Sequence, residues 1–339
     1  MSAASTTPRR IPRIAVAGCG YWGRNLVRNF HALGSLAAVA DATPAGRELA
    51  AQLAPGAEVL SAIESLFARS DIDAIALATP AVTHGPLGLR ALDAGKDLFV
   101  EKPMALDLAS GRALLARATE RRRILQVGHL LEYHPAVTAL KTWLADGRLG
   151  AVRRLHAHRL NFGKVRSEED ALWSLAPHDI SVLLRLKGAM PVSVSCHGTH
   201  ALGTTRADFA VTLLHFADGT DAHILSSWLH PIKEQKIVVV GGRGMAVFDD
   251  TVATQKLTFH EVRVGGTSAQ PDVQRGATDS ATLPADEPLR LECAAFLEAV
   301  ATRRAPLADG ESGLRVLAVL DACRRSMNAG GQSMPVEKI

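Results

Sequence analysis

The stretch Arg13-Ile14-Ala15-Val16-Ala17-Gly18-Cys19-Gly20-Tyr21-Trp22-Gly23 decides the fold. A short, apolar, barely alternating run leads straight into G-x-G-x-x-G, and a helical pattern follows at once. Each glycine has a physical task. Gly18 permits a tight turn out of a strand, Gly20 lets the backbone approach a pyrophosphate, and Gly23 lets the helix pack close to the strand. The helix N-terminus then offers N–H groups and a partial positive charge to phosphates. Glycine clusters also mark ordinary turns, so a second signal matters. Asp41 follows the next apolar run, Leu36–Ala40, at the place where a carboxylate accepts hydrogen bonds from adenosine ribose hydroxyls. A carboxylate there repels the extra phosphate of NADP. No arginine stands directly beside it, the nearest following one being Arg47. The expected cofactor is NAD.

The same pattern continues outward. Ala74–Ala78, Asp97–Val100 and Ile124–Val127 are short apolar runs, as expected of parallel strands buried on both faces. Helical segments separate the runs. Arg24–Leu33 places Leu26, Val27, Phe30 and Leu33 on one face and stops at Gly34. Gly85–Ala94 stops at Gly95, and Leu108–Arg121 begins behind an Asp107 cap. Strand–helix alternation of this kind predicts an α/β, doubly wound Rossmann sheet over residues 13–128.

A different pattern fills residues 129–339. A helix is expected from Pro135 to Asp146, ended by Gly147. Longer β-like runs follow at Val152–Leu160, Pro191–His200, Asp208–Phe216, Ala222–Trp228, Lys236–Val240 and Met245–Phe248. Ala217-Asp218-Gly219 and Gly241-Gly242-Arg243-Gly244 read as hairpin links. These features predict an α+β substrate and oligomerisation domain with a largely antiparallel open sheet. Gly265–Pro288 is polar and reads as a long surface loop. Helices are expected at Leu289–Thr302 and Gly313–Asn328, with the option of packing back on the first domain.

Composition excludes several classes. Hydrophobic residues make up 47% and charged residues 21% of 339, a core-forming balance for about two domains. No apolar run is long enough for a membrane helix. Residues 1–12 read as a disordered tail; Arg9 and Arg10 do not make an export signal, because a short strand and a glycine loop follow them. Cys19, Cys196, Cys293 and Cys323 form neither a CxxC pair nor a disulfide framework, which points to the reducing cytoplasm. The net charge of +4 is too mild for a nucleic-acid partner. The thirteen histidines show no HExxH or Cys/His cluster, so no metal is expected, and no G-x-S-x-G elbow marks a serine hydrolase.

Composition does not say which groups do chemistry. Ala78-Thr79-Pro80 followed by His84, then Glu101-Lys102-Pro103, Gly128-His129 through Tyr133-His134-Pro135-Ala136, and His178 ten residues before Gly188 all resemble the Gfo/Idh/MocA oxidoreductases. The resemblance spans nearly the whole chain, and Glu-Lys-Pro at a strand end is its most specific part. It implies a cofactor wall of Gly18, Gly20, Tyr21, Trp22, Gly23, Asp41, Thr79, Pro80, His84 and Glu101. It also implies that Lys102 sits at the nicotinamide face beside the reacting hydroxyl, and that His178 contacts the reacting part of a sugar. The chemistry is consistent. Hydride loss from a carbinol carbon needs the hydroxyl proton removed at the same time. An ordinary lysine, with a pKa of about 10.4, is protonated at neutral pH. Burial beside a positive ring lowers that value and makes a base. In one respect the chain departs from the pattern: many relatives carry Asp four residues before the histidine, where this sequence has Ser174. Asp179, beside His178, points elsewhere on a helix.

Further stretches narrow the resemblance to the sugar-nucleotide 3-dehydrogenase branch. They are Gly20 to Asn25 with Arg28-Asn29-Phe30, Arg159 to Arg166, Trp173 to Ile180, and Ser227 to Pro231 with Lys233 to Lys236. This implies NAD-dependent oxidation of the C3 hydroxyl of a UDP-sugar, first of all UDP-N-acetylglucosamine. An aminotransferase would then act on the ketone to supply 3-amino sugars for lipid A, lipopolysaccharide or surface polysaccharide. A pyrophosphate-bearing substrate calls for cations, and Lys164 and Arg166 lie on a loop leaving a strand, with Asn161 before them. Tyr133 and Trp173 complete the expected substrate contacts. UDP-N-acetylglucosaminuronate, a free polyol such as an inositol, and a non-catalytic NAD-binding regulator are the competing readings. A homodimer or homotetramer is expected, through the sheet face away from substrate.

Overall fold

A computed structural model describes residues 10–163, 165–166, 169–267 and 269–339. In chain order the first part contains β1 (Ile14–Ala17), α1 (Gly23–Ala32), β2 (Leu36–Ala40), α2 (Pro44–Leu53), β3 (Glu58–Leu60), α3 (Glu64–Phe67), β4 (Ala74–Leu77), α4 (His84–Asp93), β5 (Asp97–Val100), α5 (Leu108–Glu120) and β6 (Leu125–Val127). Then come α6 (Pro135–Ala145), β7 (Val152–Phe162), α7 (Ala171–Lys187), β8 (Ser193–Thr199), β9 (Phe209–His215), β10 (Asp221–Ser227), β11 (Leu229–Gly241), β12 (Gly244–Asp249), β13 (Leu257–Gly266) and β14 (Pro271–Ser280). Helices α8 (Pro288–Thr302) and α9 (Gly310–Asn328) and the short β15 (Met334–Pro335) close the chain. Two compact units result. One runs to Leu130 and takes in Glu287–Leu314; the other comprises Leu131–Asp286 and Arg315–Ile339.

The first unit is a parallel sheet of described strands in the order β3-β2-β1-β4-β5-β6. The order reverses at β1, which sets a ligand crevice beyond the carboxyl ends of the strands. Strands β1, β4 and β5 are buried at every position, which is why they show no alternation. Sequence reading did not single out β3, three half-exposed residues at the sheet edge. The helix caps form as their chemistry dictates. Thr43 Oγ1 accepts from Gly46 N–H at 3.1 Å, and Asp107 Oδ1 from Ser110 N–H at 2.8 Å. Phe30, Phe99 and Phe296 make an edge-to-face cluster with ring centroids 5.6–6.4 Å apart. Such pairs add roughly 0.5–1.5 kcal/mol each beyond area burial. Phe296 comes from α8, so a helix remote in sequence completes this core.

The second unit is built on a sheet ordered β14-β13-β12-β11-β7-β10-β9-β8-β15. Pairing is antiparallel except between β7 and β10. Inward residues Leu155, Ala157, Ala222 and Ile224 alternate with more exposed neighbours, and α7 buries Leu172, Ala176, Ile180 and Leu183. Gly265–Pro288, expected as a loop, is instead largely strand: Gly265 and Gly266 end β13, and Pro271–Ser280 forms β14 paired with it. An edge strand takes its order from backbone hydrogen bonds to one neighbour and needs no apolar alternation, so its polar sequence concealed it. No helix among the described residues is long and apolar enough to cross a membrane.

Candidate active site

The glycine loop leaves β1 and opens α1. Gly18 has φ +95°, and a Cβ there would meet the Ala78 carbonyl oxygen at 2.8 Å. A Cβ on Gly23 would collide with the Gly18 carbonyl, whereas nothing lies within 4 Å of one built on Gly20. The loop is therefore closed beneath Gly18 and Gly23 and open above Gly20, as a pyrophosphate requires. Helix α1 has no side-chain cap hydrogen bond; Arg24 and Asn25 N–H donate back to the Gly20 and Trp22 carbonyls at 3.3 and 2.8 Å, and the helix offers an anion the positive end of its dipole. Tyr21 is exposed, with the Arg24 guanidinium 5.4 Å from its ring centroid.

Asp41 sits at the carboxyl end of β2. Its Oδ2 accepts Cys19 N–H at 2.7 Å, and its Oδ1 accepts Thr43 N–H at 2.8 Å and Thr43 Oγ1–H at 2.7 Å. Burial alone would raise its pKa, but these hydrogen bonds and the nearby Arg47 cation outweigh burial and lower it, so the group is a fixed carboxylate. Arg47 Nη1 donates to the backbone carbonyls of Asp41 and Ala42, at 3.0 and 2.9 Å. The carboxylate is thereby tied to the glycine loop. Together with the loop, it fits the ribose and pyrophosphate of NAD.

The next two strand ends carry the remaining expected residues of this unit. After β4, Thr79 Oγ1 bonds Thr83 Oγ1 at 2.6 Å, and Pro80 leads into α4. The buried His84 ring places Nε2 2.9 Å from the Thr79 carbonyl and Nδ1 2.8 Å from the Pro103 carbonyl. It joins the loop after β4 to the Lys102-Pro103 turn, whose peptide bond is cis. After β5, Glu101 is 7% exposed and accepts Trp22 Nε1–H at 2.6 Å, with Lys102 N–H at 3.3 Å. Burial pushes its carboxyl up to about 7, against the opposing pull of Trp22 and Lys102. After β6, His129 is buried, and its Nδ1 has no hydrogen-bond partner among the described residues. Burial, then the Lys102 charge, lowers this imidazole to about 3 and keeps it neutral. Glu101, Lys102 and His129 thus form one electrostatic group at adjacent strand ends. The resemblance carried Glu101 and Lys102. Neither the Trp22–Glu101 bond, which joins residues 79 apart, nor the state of His129 has a local sequence signal.

The second unit places the other expected residues on β7, α7 and the turn before α6. His178 lies on α7, half-buried, and its carbonyl accepts Ser181 Oγ–H. Ser174, where an acid is common, is buried on the same helix. Asp179 turns away from His178, as helix geometry requires. It receives Arg159 Nε and Nη2 from β7, both at 2.8 Å, in a pair with side-chain exposures of 11% and 0%. This bond fixes the rotation of α7 against the sheet, and sequence reading did not anticipate it. Trp173 is buried, with the Arg324 guanidinium 5.6 Å from its ring centroid. Tyr133 is buried in the turn Leu130–Tyr133. Asn161 keeps a buried Oδ1 with no partner among the described residues. Arg166 pairs with Glu169 at 3.1 Å, and Lys164 lies outside the described residues.

Comparison with known proteins identifies relatives of both parts of the chain. Residues 12–129 match the oxidoreductase family with an NAD-binding Rossmann fold, and residues 137–247 match the GFO/IDH/MocA C-terminal domain. UDP-N-acetylglucosamine 3-dehydrogenase of Acidithiobacillus ferrooxidans is 31% identical over 94% of this chain and 97% of its own. A solved structure of that enzyme superposes with a TM-score of 0.81, covering 94% of this chain and 98% of the other. Inositol 2-dehydrogenase of Rhizobium meliloti is 29% identical over 86% of this chain and 89% of its own. The chain belongs to the Gfo/Idh/MocA family of oxidoreductases, with NAD as the cofactor of its Rossmann domain.

Proposed function

We propose that this protein oxidises a sugar hydroxyl with NAD, and that its substrate is a UDP-sugar oxidised at C3, UDP-N-acetylglucosamine first. The observation that carries the reading is the likeness to the Acidithiobacillus enzyme along essentially the full length of both chains. NAD, when bound, takes the hydrogen and both electrons from the carbinol carbon. The chain supplies the rest. Lys102 accepts the hydroxyl proton during oxidation and returns it in the reverse direction. Glu101, buried beside it, holds a carboxyl that titrates near neutrality and balances its charge. His178 contacts the reacting part of the sugar, while Tyr133, Asn161, Trp173 and Arg166 contact the remainder. The Oδ1 of Asn161, buried and without a partner among the described residues, supports its part, because a buried acceptor is costly until an N–H or O–H reaches it. Lys164 is assigned to the diphosphate by its sequence position alone. The 3-keto product is a substrate for an aminotransferase, and the protein works as a cytoplasmic homo-oligomer.

A free polyol is the second reading, favoured by the likeness to inositol 2-dehydrogenase. The test is NAD reduction across UDP-N-acetylglucosamine, UDP-N-acetylglucosaminuronate, UDP-glucose and myo-inositol, with an aminotransferase and amino donor draining any ketone. The first should turn over with the highest kcat/KM and give a 3-keto, then 3-amino, sugar nucleotide. Faster turnover of myo-inositol than of every UDP-sugar would replace this reading with the second.

A further inference from the structure

We propose that the amino-terminal edge of the six-stranded sheet carries a separate binding site for a small phosphate-bearing anion, built on Lys96 and Arg123. A cavity of about 520 Å³ opens there, within the first unit. Its lining comes from the segments that precede β1, β4, β5 and β6, and from the C-terminus of α8. In a parallel sheet this is the edge opposite the glycine loop, which follows the carboxyl end of β1. An occupant here is therefore not the cofactor. The volume lies within the roughly 300–1,000 Å³ common for small-molecule sites.

The charges around the cavity do not cancel. Arg10, Lys96, Arg123 and Arg303 line it along with Asp73 and Asp97. Both acids are already engaged. Asp73 takes Arg10 Nη2 at 2.6 Å and Arg13 N–H at 2.7 Å. Asp97 takes Arg303 in a two-point pair at 2.5 and 2.9 Å, and Ile124 N–H at 2.8 Å. The other two cations make no ion pair among the described residues, although the charges of Asp73 and Asp71 act on Lys96. Lys96 is only 6% exposed, and its Nζ donates to the carbonyl oxygens of Arg69 and Ile72. Arg123 lines the cavity, and among the described residues it makes no ion pair and its buried Nε has no acceptor. An ammonium and a planar guanidinium on one cavity wall are the donors that a phosphate group takes. The cavity is larger than inorganic phosphate, so the natural ligand is a phosphorylated metabolite, and inorganic phosphate is its minimal probe.

The test is the thermal midpoint of the full protein in rising inorganic phosphate, against chloride at matched ionic strength. Saturating NAD fills the glycine loop throughout. The wild type should show a saturable rise, and Arg123→Gln should need at least about 10-fold more phosphate for half the effect. Arg123→Lys, which keeps the charge, should recover most of the response. Arg121→Gln removes an equal charge, one paired with Asp93 at 3.0 Å outside the cavity lining, and should respond as the wild type does. No response in the wild type, or equal responses in wild type and Arg123→Gln, would overturn the site. A response to malonate with none to phosphate would overturn its ligand class. Neither result bears on the proposed reaction, which uses the opposite strand ends.

Discussion

Trp22→Phe isolates the bond that ties the glycine loop to the Glu-Lys-Pro turn. Trp22 Nε1 donates to Glu101 Oε1 at 2.6 Å, and the substitution keeps an aromatic ring at a position already 36% exposed. Packing loss is therefore small. The strength of the lost bond depends on the charge of Glu101. Against an ionised carboxylate it is worth about 1.5–3 kcal/mol, and against a neutral carboxyl about 0.5–1.5 kcal/mol. Burial holds Glu101 near 7, well above the ordinary value of 4.5. The folded state thus binds more protons than the unfolded state between those values. Stability contributed by this group therefore falls as pH rises from about 4.5 to about 7, and is level above. Removing the Trp22 donor raises the folded value further, by about one unit for each 1.4 kcal/mol of charge-dependent bonding lost. Measured by thermal melting, Trp22→Phe should lose about 1–1.5 kcal/mol more at pH 8.5 than at pH 5, a difference of roughly 1.5–2 °C in Tm. A loss that is the same at both pH values would show that Trp22 acts by packing, and would refute the charged bond.

Three further perturbations probe the rest of the framework. Gly23→Ala drives a Cβ into the Gly18 carbonyl, so it should cost about 1–3 kcal/mol of stability and weaken NAD binding at least 10-fold by fluorescence titration. Asp41→Asn replaces an acceptor of Cys19 and Thr43 N–H groups with a side chain that carries one fewer acceptor oxygen. Its NAD affinity should fall about 10-fold, with a Tm loss matching about 1–3 kcal/mol. Asp179→Ala strands the buried Arg159 cation and should cost about 3–5 kcal/mol, much of it recovered in the double variant with Arg159→Met. Failure of that second change to recover stability would mean that Asp179 supports α7 by some other contact.

The sequence disclosed best what local physics controls. Gly18, Gly20 and Gly23 are legible because a turn, a close approach and a packed helix each forbid a side chain. Thr43 and Asp107 cap helices through neighbours three residues away, an interaction contained in a few consecutive letters. Edge elements were harder. β3 is three residues long, and β14 is polar and exposed, so neither shows the periodicity that burial writes into a central strand. Long-range pairs were invisible. Trp22 meets Glu101, Asp179 meets Arg159, and Phe296 returns from α8 to the core of the first unit, all across large sequence separations. The residues proposed to do the chemistry were legible only through resemblance, since a lysine before a proline carries no periodic signal. Asp41 is an intermediate case: its position was read from the strand end, but its bonds to Cys19 and Thr43 needed the folded loop.

In the proposed reaction Lys102 removes the proton while NAD receives the hydride of a UDP-sugar. Its most direct test is the initial rate of NADH formation from UDP-N-acetylglucosamine by the wild type and by Lys102→Met, alongside NAD binding to each. Lys102→Met should bind NAD within about threefold of the wild type and lose about 10²–10⁴-fold in kcat. Turnover by Lys102→Met at the wild-type rate would contradict that role.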